Sequence, residues 1–204
     1  MEQWLQAYDA CRLIAMNMFS MVDKPFTKEA SINLKRVYEI SYFQQRIADI
    51  IVDLEINYID DILSKIDSDS EPDEIKATER QLWENIRRVA TSSRRTGSGF
   101  TGLADMLAAL NLKYDSDEAL DVVKAVMKQK MKGELDAMID MAVLQAPFQG
   151  WNKDKEAIFT VKGLKGKNSF YQMLLEEFPE QFERMREFGR RNVSWSTVNC
   201  GIIE

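Results

Sequence analysis

Three glycines in the middle of the chain have the spacing of a phosphate-binding loop. Gly97, Gly99 and Gly102 form a G-x-G-x-x-G string. In a dinucleotide-binding unit this string follows a buried apolar strand and opens a helix that receives the pyrophosphate. Residues 73–93, which precede the string, instead carry apolar side chains at intervals of three and four, which predicts an amphipathic helix. We therefore favour a helix-to-helix turn at the glycines, followed by a helix over 101–110, and weigh it above the nucleotide-binding alternative.

The chain has two cysteines and no histidine, which narrows its catalytic chemistry. Without histidine there are no Ser-His or Cys-His nucleophile pairs, no mixed zinc sites of the usual kind and no Glu-x-x-His di-iron motifs. The acidic stretches around Asp60 and at 67–71 lack the spacing of a calcium loop and indicate hydrated surface, so we predict no metal site. Cys11, taken by itself, is predicted to be a buried core thiol, because cysteine packs as a small hydrophobe.

Three segments of the chain resemble the large catalytic subunit of ribonucleotide reductases, in the order in which that family has them. Residues 94–120 (RRTGSGFTGLADMLAALNLKYDSDEAL) are similar to the family's RR-x-G-x-G-x-x-G-L-A-D segment. Residues 8–13 (YDACRL) and 21–27 (MVDKPFT) resemble Y-x-x-C-N-L and F-V-x-x-P-F-T, and 189–198 (GRRNVSWSTV) resembles the R-N-V-S-W-S-T-V strand. The resemblance is greatest to the adenosylcobalamin-dependent class II enzymes, and it identifies residues 1–204 as an internal fragment of the catalytic barrel.

This resemblance implies reduction of ribonucleotides to deoxyribonucleotides by thiyl-radical chemistry. In the family, a cysteine in an N-P-C-G-E turn removes the 3′ hydrogen of the ribose and the glutamate takes the 3′ hydroxyl proton; Met1 and Glu2 fall at the glycine and glutamate of that turn. Cys11 matches one of the two cysteines that reduce the 2′ carbon and become a disulfide, and Cys200 does not match the other. Glu2 and Cys11 are therefore the candidate catalytic residues.

Two parts of the family's active site, the radical cysteine and the phosphate-binding loop, have no match in this sequence. The radical cysteine would lie just before Met1, and 199–204 stand where the family has a P-T-G-T loop that binds phosphate. We therefore expect this chain to be inactive alone and to hold no adenosylcobalamin, although the family implies that cofactor. The expected partners are the remaining segments of the reductase, with a ribonucleotide substrate in the complete enzyme, or a second copy bound through exposed strand edges. The alternative is a non-catalytic helical interaction module or remnant of an interrupted reductase gene.

Composition predicts one globular domain over residues 1–204. The chain is 45% hydrophobic and 29% charged, and it has neither an apolar run of the roughly 20 residues that span a bilayer nor a secretion signal. Its net charge of −6 argues against a nucleic-acid surface, and its few cysteines fit a reducing compartment. We expect a cytoplasmic protein with no membrane or nucleic-acid partner. The arginine pairs at 87–88, 94–95 and 190–191 are predicted to be solvated or paired internally.

Periodicity predicts a mainly α fold with one or two short strands near the termini. The predicted helices span 34–66, 73–93, 117–145, 170–178 and 179–188, and 150–168 is predicted to be irregular. The first helix has an apolar stripe that needs a partner, formed by Ile47, Ile51, Leu54, Tyr58 and Ile62. A strand is predicted at 193–198 and extended structure at 7–13; with few strand partners, we predict that these ends are frayed, re-packed or intermolecular.

Overall fold

The computed structural model describes residues 5–153 and 174–196, and most of these are helical. The helices are α1 (Leu34–Ser68), α2 (Asp73–Ser93), α3 (Leu103–Ala109), α4 (Asp117–Leu144) and α5 (Pro179–Phe188), with a 3₁₀ helix at Met18–Met21. The strands are β1 (Arg12–Asn17), β2 (Val22–Asp23), β3 (Ser31–Ile32) and β4 (Thr96–Thr101). The prediction of a mainly α fold is confirmed, and the described residues contain four short strands where one or two near the termini were predicted.

Local sequence signals set the ends of the helices. The Asn33 side chain accepts a hydrogen bond from the Arg36 amide at the start of α1, and Ser116 caps α4 by accepting from the Ala119 amide. Proline occupies the first turn of α5, where its missing N–H costs no hydrogen bond. The predicted helices at 34–66, 73–93, 117–145, 101–110 and 179–188 are confirmed to within about two residues at most ends. The region 150–168 lies largely outside the described residues, and so does the first part of 170–178.

The glycine string is a strand, and the prediction of a turn there was wrong. Thr96–Thr101 forms β4, which runs parallel to β1 with a register from Arg12 opposite Thr96 to Asn17 opposite Thr101. Residues 96–99 are buried, so the apolar alternation that normally reveals a strand is missing. Of the three glycines in the string, only Gly102 has a left-handed φ, +70°. It follows the last residue of β4 and caps the start of α3. A Cβ atom at Gly102 would lie 2.5 Å from the side-chain oxygen of Asn17.

Both ends of the described chain pair with this central strand. The amide of Thr96 donates to the Ser194 carbonyl at 3.2 Å, and Ser98 forms a parallel bridge with Ser196. On the other side, β1 supplies the full register given above. In the described residues both terminal segments thus pair within the chain, and the prediction that the ends are frayed, re-packed or intermolecular stays a prediction for the rest of them. The predicted extended segment at 7–13 is also shifted, since β1 begins at Arg12 and a turn precedes it.

Two apolar clusters form the core, and α4 contributes to both of them. The first lies between β1, the 3₁₀ helix, α3 and the first half of α4, and its buried members include Met16, Met18, Met106, Leu107 and Val126. The second lies between the second half of α4 and α5, and includes Leu135, Met138, Phe182, Met185 and Trp195. A long central helix thus connects the strand layer to the C-terminal helix. No described helix is long and apolar enough to cross a membrane.

The two longest helices, α1 and α4, approach closely at Gly133. A Cβ atom at this position would lie 2.5 Å from the Tyr38 carbonyl oxygen and 3.1 Å from the Ser41 Cβ. Both neighbours belong to α1, and one of them is backbone that cannot move as a side chain does. Gly133 is therefore required by the distance between the helices.

We expect Gly133→Ala to lower the free energy of unfolding by about 1–3 kcal/mol, the usual cost of overpacking. Alanine favours a helix over glycine by about 1 kcal/mol, so a net loss would show that the crowding is the larger effect. Urea unfolding followed by circular dichroism measures the change. Lys124→Ala, on the exposed side of the same helix, is the control and should shift stability by less than about 0.5 kcal/mol. A Gly133→Ala variant as stable as the parent would contradict the close contact.

The predicted apolar stripe of α1 does not face the core. Ile47, Leu54 and Tyr58 are exposed. The buried face of α1 lies elsewhere on the helix and is rich in polar residues: Val37, Ser41, Gln44, Gln45, Ala48, Asp49, Val52, Ile59 and Ile66. Apolar periodicity did not indicate this buried face, because many of its residues are polar and contact the strands through hydrogen bonds.

Candidate functional site

Cys11 lies immediately before β1, where the parallel strands β1 and β4 both begin. Its side chain is partly buried. The prediction of a fully buried core thiol therefore overstates its burial. Glu2, the other candidate catalytic residue, lies outside the described residues, and its role stays a prediction.

An ion pair holds the residues on the N-terminal side of Cys11. The Arg95 Nε donates to Asp9 Oδ2 at 2.6 Å, and the Asp9 side chain is fully buried. Tyr8, one residue earlier, has a left-handed φ of 65° and makes the turn that brings Asp9 to Arg95. A buried charged hydrogen bond of this kind fixes the direction of the backbone that leads to the thiol.

A second ion pair holds the C-terminal side of Cys11. The Arg12 side chain is almost fully buried, and its Nε bonds to Glu55 of α1. The same guanidinium reaches back across the cysteine and donates from Nη1 to the Ala10 carbonyl at 2.7 Å. Cys11 therefore lies in a backbone segment that is anchored on both sides, to Arg95 just before β4 on one side and to Glu55 of α1 on the other.

The carboxylate of Asp49, on α1, accepts hydrogen bonds from three side chains that are far away in the sequence. It accepts from Arg94 Nε at 2.8 Å, from Asn192 Nδ2 at 2.8 Å and from Arg191 Nε at 3.1 Å. Arg94 also donates to Asp53 at 2.7 Å. Burial lowers the pKa of the Arg94 guanidinium, but the hydrogen bonds and the negative charges of Asp49 and Asp53 together outweigh that effect and raise the pKa. We call Asp49 with its three donors the Asp49 network.

The buried side-chain amides of Gln45 and Asn192 link the Asp49 network to the strand β4. The Gln45 Nε2 donates to Asn192 Oδ1 at 2.9 Å and to Thr96 Oγ1 at 3.1 Å, and Gln45 Oε1 accepts from Ser98 Oγ at 2.8 Å. All four side chains belong to residues that are completely buried. Each polar atom named here has a partner, which makes the arrangement stable in a dry environment. The polar face of α1 thus sets the position of β4 and of the segment that pairs with it.

A buried ion pair on α4 reaches the same strand. Lys130 Nζ bonds to Glu134 and also donates to the Ser98 carbonyl at 2.8 Å. The two side chains are 3% and 0% exposed. Burial raises the pKa of Glu134, and the charge and hydrogen bond of Lys130 partly oppose the shift. The strand β4 is therefore held by polar groups from both long helices, the Gln45 amide of α1 and the Lys130 ammonium of α4.

Sequence reasoning missed Asp49, Gln45, Lys130 and Glu134. A usable signal was present for the first two, because Ser41, Gln44, Gln45 and Asp49 recur at helical spacing on one face of α1. Polar residues in that pattern normally indicate solvent, so their burial required the strand and its donors to be known. The arginine pairs were expected to be solvated or internally paired, and Arg94, Arg95 and Arg191 are internally paired.

A recess of about 490 Å³ opens beside Arg95. Its lining includes Ser93, Phe148 and Val193 but not Cys11. The thiol of Cys11 therefore does not open into this recess. Within residues 5–153 and 174–196, no group of three or more Cys, Asp or Glu side chains is placed to hold a metal ion.

A family model described as ribonucleotide reductase, barrel domain, matches residues 1–199. No curated protein matches the chain. The matched range includes Cys11, the Asp49 network and the buried pair on α4.

Proposed function

The chain belongs to the ribonucleotide reductase barrel-domain family, and on that premise we propose that it forms the part of a reductase catalytic subunit that presents Cys11 as a reducing thiol. The observation that supports this most directly is the anchoring of Cys11. Asp9–Arg95 and Arg12–Glu55 hold the chain two residues before and one residue after a partly buried thiol, at the start of two paired strands. Such preorganisation suits a thiol that must meet one carbon atom of a bound sugar.

The proposed reaction needs two thiols and a radical-bearing cysteine. Reduction replaces the 2′ hydroxyl of the ribose with hydrogen and releases the hydroxyl as water; two thiols supply the two electrons and end as a disulfide. Cys11 is proposed as one of the two, and exchange with an external dithiol returns it to the reduced form. Glu2 is proposed to take the 3′ hydroxyl proton. The other reducing cysteine and the radical cysteine are proposed to come from further segments of the reductase, because Cys11 and Cys200 are the only thiols here.

One feature of the chain departs from the family's motif. Arg12 stands where the resembled Y-x-x-C-N-L segment has asparagine. In this chain the arginine takes a structural role, since it binds Glu55 and the Ala10 carbonyl rather than pointing to solvent. We propose that Arg12 positions Cys11 and takes no part in the chemistry.

Dependence on adenosylcobalamin is proposed from the resemblance alone. That cofactor supplies radical chemistry when bound. The described residues do not fit it: the recess beside Arg95 is about 490 Å³, and the guanidinium of Arg95 is already bound to Asp9. We assign no residue of this chain to the cofactor.

Reconstitution tests the proposal. The chain is mixed with polypeptides that supply the N-P-C-G-E and P-T-G-T segments, adenosylcobalamin, a dithiol and a ribonucleotide, and deoxyribonucleotide is measured over many turnovers. Cys11→Ser should reduce multiple turnover to the level of a mixture without this chain, because a serine cannot form the disulfide. Cys200→Ser is the control and should keep turnover within about twofold, an energy difference of only a few tenths of a kcal/mol. Equal turnover by Cys11→Ser and the parent chain, with matching circular dichroism, would remove the redox role of Cys11.

A further inference from the structure

One side of α1 exposes a row of large apolar side chains. Ile40, Phe43, Ile47, Ile50 and Leu54 are between 39% and 61% exposed. We call these five residues the α1 stripe. Contiguous exposed apolar side chains on a protein surface commonly mark a contact with another molecule.

The spacing of the α1 stripe is that of a helix-pairing seam. Successive members are three, four, three and four residues apart. This alternation is the a/d pattern of a heptad repeat, in which the side chains of one helix fit between those of a second helix. A helix lying on a sheet or a globular core instead shows a wider apolar face. The occupant that fits this pattern is therefore another long helix.

The other sides of α1 are already occupied. Tyr38 and Tyr42 hydrogen-bond to Asp136 and Asp140 of α4, at 3.0 and 2.9 Å. Further along the helix, Asp60 pairs with Arg87 of α2. The Gln45 side of α1 faces the strands, as described above. Since neighbours fix the helix on these sides, a partner on the stripe would not have to order it first.

Charged residues beside the stripe favour one relative orientation. Arg46 and Asp53 lie on the same flank, one heptad apart. If a second α1 runs antiparallel, with a twofold axis between Ile47 and Ile50, then Arg46 of each copy lies beside Asp53 of the other. The Asp53 side chain is 45% exposed, and its Oδ1 accepts a hydrogen bond from Arg94. A parallel pairing would place Arg46 beside Ile51 and make neither contact.

We propose that the α1 stripe binds the same stripe of a second copy of this chain, as an antiparallel two-helix seam. Phe43 then packs against Leu54 of the copy, and Ile47 against Ile50. The arrangement is self-complementary, as a twofold interface must be. It is distinct from the strand edges and independent of any reductase activity.

Sedimentation equilibrium on the full chain tests the proposal. Between about 1 and 100 µM, the average mass should rise from one chain toward two, because association follows mass action. Ile47→Asp should weaken the dimer at least about tenfold, since two carboxylates would enter an apolar seam. Leu82→Asp, an exposed position on α2 away from the stripe, is the matched control and should leave association unchanged.

A second variant keeps the test independent of folding. Arg46→Glu lies beside the seam rather than in it, and it should weaken the dimer several-fold by placing like charges together, with a smaller effect at high salt. A mass of one chain over the whole concentration range would overturn the proposal. Association that Ile47→Asp leaves intact would also overturn it, as would a loss caused equally by Leu82→Asp. Each result leaves the reconstitution test unaffected, because no activity is measured here.

Discussion

Asp49→Ala is expected to lower the free energy of unfolding by about 3–5 kcal/mol, the cost of breaking a buried ion pair by removing one partner. The carboxylate is 2% exposed and accepts from Arg94, Arg191 and Asn192. Without it, the buried guanidinium of Arg94 keeps only Asp53 as a charged partner, and the Asn192 amide loses an acceptor. Because a domain of this size is stable by about 5–15 kcal/mol, the variant should be close to unfolding. Urea unfolding monitored by circular dichroism measures the loss.

Asp53→Ala is the matched control for this prediction. It removes the other aspartate that binds Arg94, but that carboxylate is 45% exposed. Exposed ion pairs contribute about 0–1 kcal/mol, so the control should cost far less than Asp49→Ala. Equal losses for the two variants would mean that the Asp49 network does not organise the strands.

The second large effect is expected for Lys130→Met, and it should depend on pH. Removing the ammonium leaves the Glu134 carboxylate buried and without its opposite charge, which costs about 3–5 kcal/mol at neutral pH. Burial already raises the pKa of Glu134 above its ordinary value of 4.5, and loss of Lys130 removes the charge and the hydrogen bond that oppose that rise most strongly. A carboxyl with a raised pKa in the folded state favours folding when it is protonated. The variant should therefore recover stability as the pH falls toward 4.5 and lose it as the pH rises.

Two further variants test whether the loss of stability in Lys130→Met comes from the unpaired charge of Glu134 or from the altered packing. The double variant Lys130→Met with Glu134→Gln carries no buried charge at this position, and it should recover much of the stability at neutral pH with a flatter pH dependence. Lys128→Met, which removes an exposed lysine two residues away, should change stability by less than about 1 kcal/mol at every pH. Stability measured by urea unfolding from pH 4.5 to 8 gives the comparison. A Lys130→Met variant with the same pH profile as the parent would contradict the role of Glu134.

The predictions that succeeded rest on signals that act over a few residues. Apolar spacing and caps such as Ser116 located the helices, because a helix is stabilised by contacts three and four residues apart. The RR-x-G-x-G and R-N-V-S-W-S segments likewise indicated the family, which the match over 1–199 supports. These features lie within single stretches of the chain, and no knowledge of distant partners is needed to find them.

The predictions that failed concern burial that depends on distant residues. Thr96–Thr101 lacks the alternation of a half-exposed strand, so it was taken for a turn, and only its pairing with β1 shows otherwise. The buried face of α1 includes Gln45 and Asp49, and the apolar stripe predicted for that helix gave no indication that these polar residues are buried.

The sequence by itself determined the helices, the family and the candidate thiol Cys11. Only the tertiary structure decided which face of α1 is buried and how Cys11 is held, because each depends on partners far along the chain. Asp49 meets donors 45 to 143 residues away, and Asp9 meets Arg95 86 residues away. The physical reason is that a polar side chain is stable inside a protein only where the fold also places its hydrogen-bond partners. Local spacing carries no information about where those partners lie.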